Sequence, residues 1–235
     1  MNEHQLAELI AQYTDFYVFN ARRETVDVLK AAQVLATFDS AKYYAERMLK
    51  TRNFDTKEKL LGFCVSRLKS QQAGLVLEFG VASGKTVNHI ASLYPGKVYG
   101  FDSFEGLPET WRTGFEKGAF AGQLPPVAAN VELVVGWFDE SLKGFAPLAE
   151  QEVSFIHMDC DLYSSTKTVF EYTAPRFAEE VWVVFDEYWN YPGWRDHEHK
   201  ALQELMADTG MSYEYVGMVA NGQQVAVKIH NPRKL

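Results

Sequence analysis

The chain has 235 residues, 47% of them hydrophobic, and a formal charge of −8, which suits one large globular α/β domain with a sizeable core. The acidic balance, with lysines and arginines scattered singly, excludes nucleic acid as the main partner, because a phosphate footprint needs clustered positive charge. Apolar runs of about five residues exclude a membrane-spanning helix, which needs roughly 20. The opening stretch MNEHQLAELIAQ lacks the apolar run and small-residue cleavage site of a secretory signal. Cys64 and Cys160 fall in unrelated segments and read as reduced thiols, so a cytoplasmic location is expected.

Residues 1–70 carry helical periodicity. Leu6, Leu9 and Ile10, then Tyr13, Phe16 and Tyr17, recur at three- and four-residue spacing. A second stretch runs from Val26 through Leu29, Val34 and Leu35 to Tyr43, Tyr44 and Met48. A third starts near Asp55–Thr56, with Asp55 in the capping position and Glu58 three residues on; Leu60, Leu61, Cys64, Val65 and Leu68 form its apolar face. Polar and aromatic residues left over on the first two helices suggest an extension packed on the core, over a substrate pocket, or on a partner subunit in a homodimer or larger oligomer. Plain core helices are the alternative. Residues 71–235 form the main domain.

From Leu75 the pattern changes to short, near-continuous apolar runs with helical stretches between them. LVLEFG (75–80), KVYGFD (97–102), VELVVG (131–136), VSFIHMD (153–159) and VWVVFDE (181–187) read as strands buried on both faces, joined by right-handed crossovers into a parallel sheet. The end differs. MSYEYVGMVA (211–220) and GQQVAVKIH (222–230) flank Asn221–Gly222, a hairpin turn signal that requires one antiparallel strand.

The first of these strands runs through Glu78-Phe79-Gly80-Val81-Ala82-Ser83-Gly84-Lys85-Thr86 into a helix, the geometry in which glycines and a helix N-terminus approach a ligand. Two nucleotide readings compete. A phosphate-binding loop needs four residues between its first glycine and Gly-Lys-Ser/Thr, and only three separate Gly80 from Gly84. The strand VVFDE nevertheless resembles the acid-ended strand of such a nucleotide hydrolase. The E-x-G-x-x-x-G reading instead places Glu78 beside a cationic ligand, with Asp102 at the next strand end positioned for ribose hydroxyls. That pair favours S-adenosylmethionine, although both acids could simply cap helices.

LEFGVASGKT (77–86), YGFDSFEGLPETW (99–111), FIHMDCDLYSSTKTVFEY (155–172) and VVFDEYWNYPGW (183–194) together resemble the macrocin O-methyltransferase family of class I S-adenosylmethionine-dependent methyltransferases. The resemblance covers about residues 75–200 in the family's order. It implies a Rossmann-like, seven-stranded, mostly parallel sheet with an antiparallel last strand. It also implies that Glu78, Gly80, Ser83 and Gly84 border the cofactor, Asp102 and Ser103 its ribose, and Gly136, Trp137 and Phe138 its adenine. A metal site is implied in which Asp159 acts with the acid pair Asp186-Glu187, a pair that is two aspartates in better-known members.

Read for chemistry, Asp159 and Asp161 after one strand and Asp186 and Glu187 after its neighbour can share a hard cation, with Mg2+ the natural candidate. Helix caps and ion pairs with Lys167 or Arg195 are the plain alternative. The acceptor would be a hydroxyl of a small molecule such as a sugar or natural product. Transfer to nitrogen or carbon without a metal is the same-fold alternative. His157, His197 and His199 are candidate bases, with His197 preferred because it follows the loop nearest the acceptor. Residues 103–130 form a long connection expected to act as a lid, with Trp111, Phe115 and Phe120 closing over the acceptor. YWNYPGW (188–194) is expected to form a second aromatic wall.

Overall fold

The computed structural model describes residues 4, 5, 7, 8, 10, 11, 27–68 and 74–232. The expected first helix, Leu6 to Tyr17, lies largely outside them. Helix α1 (Val28–Arg47) opens at Asp27, whose carboxylate accepts hydrogen bonds from the amides of Leu29 and Lys30. Its buried residues Ala36, Ser40 and Tyr43 recur at helical spacing and face the domain. A two-residue strand β1 (Arg52–Asn53) follows, then α2 (Lys57–Val65). The cap of α2 is Thr56, which accepts from the Lys59 amide, whereas the expected cap Asp55 is exposed and pairs with the Lys59 ammonium. The hydroxyl lies one residue closer to the first turn, so it reaches the free amide.

Five parallel strands come next: β2 (Leu75–Phe79), β3 (Val98–Asp102), β4 (Val131–Val135), β5 (Val153–Met158) and β6 (Phe177–Phe185). Helix α3 (Lys85–Leu93) joins β2 to β3, and α6 (Tyr163–Thr173) follows β5, while α4 (Phe138–Ser141) and α5 (Pro147–Glu150) are single turns. Helix α7 (Glu198–Thr209) leads to β7 (Ser212–Met218) and β8 (Val225–His230). The eight strands lie in the order β1-β7-β8-β6-β5-β2-β3-β4, and β8 runs antiparallel to both of its neighbours. The Rossmann-like fold expected from the sequence is present, with β1 added at the edge.

The hairpin is present but its turn is wider than expected. Val219 and Gln224 close it, and neither Asn221 nor Gly222 takes the positive φ that a two-residue turn needs. The loop is held instead by the preceding segment: the Tyr188 amide donates to the Gln223 carbonyl, and the Asn190 side chain to that of Gly222.

Strands β2 and β5 are buried along their whole length, which is why they read as continuous apolar runs. The chain winds outward from β2 through β3 to β4, then returns to lay β5 against the other side of β2. That reversal opens a crevice at the carboxyl ends of β2 and β5, where ligands bind in sheets of this kind. Among the described residues, no helix is long and apolar enough to cross a membrane.

Candidate active site

The turn after β2 is tight because it crosses the end of β5. Gly80 holds φ at +91°, and a Cβ there would lie 1.7 Å from the Asp159 carbonyl oxygen. Gly84, at φ +76°, is the N-cap of α3 and supplies no side chain to the first amides of that helix, which leaves them free for a ligand. Asp102 at the end of β3 fixes the turn: one carboxylate oxygen accepts from the Val81 and Ala82 amides, both at 2.8 Å, and the other from the Phe104 amide at 2.7 Å. The carboxylate read as a ribose acceptor is thus engaged by backbone donors, while the residue still borders the cavity.

A single cavity of about 910 Å³ extends from this turn across the ends of β5 and β6. Of the residues expected at a cofactor, Gly80, Ser83, Asp102, Ser103, Gly136 and Trp137 line it. Glu78 and Gly84 do not. Glu78 stands one residue before the end of β2, in register with His157 of β5, so the two side chains share a face and lie beneath the strand ends rather than in the crevice. Both are fully buried, and His157 Nδ1 donates to Glu78 Oε1 at 2.8 Å. A Cβ at Gly84 would meet the Pro125 ring at 3.0 Å, so that side of the glycine is already filled by protein.

The acid end is as the strand ends suggested: Asp159, Asp161, Asp186 and Glu187 all line the cavity. The cation among them comes from elsewhere in the chain. The Lys57 ammonium, from the first turn of α2, lies 2.8 Å from Asp186 Oδ1 and 3.5 Å from Asp159 Oδ2. His157 approaches Asp186 from behind, with Nε2 3.6 Å from Oδ1. The ion-pair partners considered in the sequence are taken up elsewhere, Lys167 by Glu204 and Arg195 by Asp39.

These groups shift one another strongly. Burial, then the Asp186 charge, pushes the Asp159 carboxyl up to about 7, and the same two causes push Asp161 up to about 6. Burial alone would lower His157, but the nearby Asp186 and Glu78 carboxylates outweigh it and raise the imidazole to about 10. Burial would likewise raise Asp186, yet His157 and Lys57 together hold it well below the usual carboxylate range. Glu187 and Glu198 are pushed far up by burial and by the surrounding acids. The Glu198 carboxylate accepts from the Glu187 amide at 3.1 Å, while Glu187 Oε2 is buried with no hydrogen-bond partner.

The connection between β3 and β4, expected to act as a lid, supplies part of the cavity wall. Leu107 and Trp111 bond through their amides to Ala119 and Phe115, which closes the segment on itself. Trp111, Phe115 and Phe120 line the cavity, and Arg112 lies 3.8 Å over the Trp111 ring. The second aromatic wall is absent from the cavity. Tyr188, Trp189, Tyr191 and Trp194 are buried in the core, gripped by α1: Ser40 Oγ accepts from the Asn190 amide and Arg195 pairs with Asp39 through two nitrogens, each contact at 2.9 Å.

None of the histidines lines the cavity. His197 is tucked behind the lid, edge-on to Trp111 with centroids 6.3 Å apart, and burial holds it below its ordinary pKa. His199 is buried against Tyr43 and Trp194. The loop bends inward because its aromatic residues prefer the core, and the histidines follow it away from the acceptor end. Three participants went unread in the sequence: Lys57, Arg112 and Glu198. For Lys57 one signal existed, a cation in the first turn of a helix, where the dipole disfavours it.

Residues 77–188 match the family described as a methyltransferase domain. Among solved structures, the chain is similar to CalS11, a calicheamicin methyltransferase, with a TM-score of 0.57 and 19% identity over 96% of this chain and 90% of that one. It is also similar to the O-methyltransferase NovP, with a TM-score of 0.56 and 19% identity over 76% of this chain and 83% of that one. No curated protein matches the sequence significantly. The family match spans slightly less than half of the chain, and the protein is an enzyme of the methyltransferase kind.

Proposed function

We propose that this enzyme transfers a methyl group from S-adenosylmethionine to a hydroxyl oxygen of a small molecule, such as a sugar or natural product, with the help of Mg2+. One observation carries the reading: the glycine turn and the acid cluster open into the same cavity of about 910 Å³. That volume is near the top of the range for small-molecule sites, enough for a nucleoside cofactor and an acceptor side by side. In this reading Gly80, Ser83, Asp102, Ser103, Gly136 and Trp137 form the cofactor half. Trp111, Phe115 and Phe120 cover the acceptor and keep water out. Residues 1–70 serve as an extension, and Val28, Leu29 and Leu35, exposed on α1, support self-association through it.

The acid cluster fits a hard divalent cation. Four carboxylates line one end of the cavity; Asp159, Asp186 and His157 each offer a ligand atom within 4.8 Å of the others; and Glu187 Oε2 is a buried acceptor without a donor. Asp159, Asp186 and Glu187 would hold the ion, which when bound polarises a hydroxyl and lowers its pKa. The chain's own part is to align the acceptor oxygen with the methyl carbon, an effect worth up to roughly 7–11 kcal/mol of barrier. As the O–CH3 bond forms and the S–CH3 bond breaks, the hydroxyl proton passes to a carboxylate. Asp161, raised to about 6 and lining the cavity, is suited to take it.

Calorimetry with adenosylhomocysteine and with ATP tests the cofactor half: binding of the first alone is expected, and micromolar binding of ATP alone overturns it. Labelled-methyl incorporation into hydroxylated metabolites tests the reaction. Asp159→Ala is expected to lower turnover at least a hundredfold. Activity that survives both this change and chelation removes the metal from the mechanism.

A further inference from the structure

We infer that Lys57 is a tethered counter-ion that occupies the metal's own ligands, so that a divalent cation binds only by displacing its ammonium from Asp159 and Asp186. The inference rests on the metal reading above and adds a residue that reading does not contain.

Its basis is shared use of the same atoms. The ammonium reaches Asp186 Oδ1 at 2.8 Å and Asp159 Oδ2 at 3.5 Å, and these two acids, with His157, are the cluster able to hold an ion. Two cations directed at one pair of oxygens repel each other, and one must yield. The tethered ammonium is the one that yields, while His157, fully buried between Glu78 and Asp186, stays in place.

The backbone under Lys57 is fixed while its side chain is not. Thr56 caps α2 through the Lys59 amide, the Leu60 amide closes the first turn on the Thr56 carbonyl, and the Phe54 amide donates to Met218 across the sheet edge. From that anchor a flexible four-carbon stem enters the cavity, and the side chain remains 26% exposed. A retreat of the ammonium toward solvent therefore disturbs no backbone bond. The position is also unfavourable for a lysine on local grounds, since a cation in the first turn opposes the helix dipole. The acids of β5 and β6 compensate, and a better cation would release it.

The alternative is a permanent structural ion pair, and metal affinity separates the two. Mg2+ binding is measured by calorimetry, and Mn2+ binding by the electron-spin signal of the free ion, on the full chain with adenosylhomocysteine at one fixed pH. Lys57→Met keeps the stem and loses the charge; Lys57→Gln is the second neutral variant, and Lys57→Arg keeps the charge. Both neutral variants are expected to bind the ion at least tenfold more tightly than the wild type, and the arginine variant no more tightly. Neutral variants that bind equally or more weakly than a binding wild type overturn the competition and leave the metal reading standing. Binding to none of the four overturns both. Binding to the neutral variants alone upholds the competition and moves the failure to the metal reading.

A measurement on the wild-type chain needs no variant. Reductive methylation of Lys57, followed by peptide mass spectrometry, is expected to rise several-fold when Mg2+ replaces chelator. Unchanged or increased protection of Lys57 overturns the proposal.

Discussion

An alanine methyl at position 80 would lie 1.7 Å from the Asp159 carbonyl oxygen, on a backbone held at φ +91°. Neither β2 nor β5 can yield at that point, because both are buried in mid-sheet. Gly80→Ala is therefore expected to cost at least about 2 kcal/mol in urea unfolding and to weaken adenosylhomocysteine binding tenfold or more; a variant as stable as the parent would show that the turn has room. Asp102 gives the companion test. Its carboxylate accepts three backbone amides, so Asp102→Ala is expected to destabilise the fold by about 2–4 kcal/mol, and Asp102→Asn by less. Unfolding of Asp102→Ala at the parent's urea midpoint would show that the amides do not depend on it. Both residues stood out in the sequence from glycine spacing and strand ends. What could not be read was depth: Glu78 pairs with Gly100 across the sheet, two residues short of Asp102, so its carboxylate lies buried against His157 below the strand ends.

Among the elements, α1 and the loop before α7 lock together through rings and hydroxyls. Tyr43 of α1 meets the Tyr215 hydroxyl, Tyr188 donates to or accepts from the same oxygen at 2.7 Å, and His199 Nε2 lies 3.2 Å from the Tyr43 hydroxyl. Burial, then the Arg195 charge, holds His199 down to about 4, against an ordinary 6.5. Between those values the unfolded chain binds a proton that the folded chain refuses, so stability falls as pH falls from about 6.5 toward 4. From pH 7.5 to pH 5 this residue is expected to remove about 2 kcal/mol. His199→Gln should flatten that part of the profile, and an unchanged wild-type-minus-variant difference across this range would reject the assignment. The strands themselves were legible, since burial on both faces leaves an unbroken apolar run. The loop YWNYPGW was misread because an aromatic cluster looks the same whether it lines a cavity or fills a core. Only the partner element, α1, decides which, and nothing in the loop's own residues names it. The hairpin turn failed for a related reason: Asn221–Gly222 permits a tight turn, but bonds from Tyr188 and Asn190 select a wider one.

Across the whole molecule, the cavity is assembled from segments far apart in the chain. Lys57 precedes Asp159 by about a hundred positions, and no periodicity links them; the contact exists because β1 places α2 at the mouth of the sheet. Such a site exists only in the folded chain, so its ligand stabilises that state by mass action. At a hundredfold excess over the dissociation constant the stabilisation is about 2.7 kcal/mol. For a chain of this length each kcal/mol raises the melting temperature by roughly 2–4 °C. Adenosylhomocysteine is therefore expected to raise it by about 5–10 °C in a thermal melt, and ATP at the same concentration by less than about 1 °C. Because the ligand's contacts are predicted to lie on the turn, Gly80→Ala should lose most of this shift, while His199→Gln, whose ring stands in the core away from the cavity, should keep all of it. Equal shifts in both variants would place the ligand somewhere other than the crevice between β2 and β5.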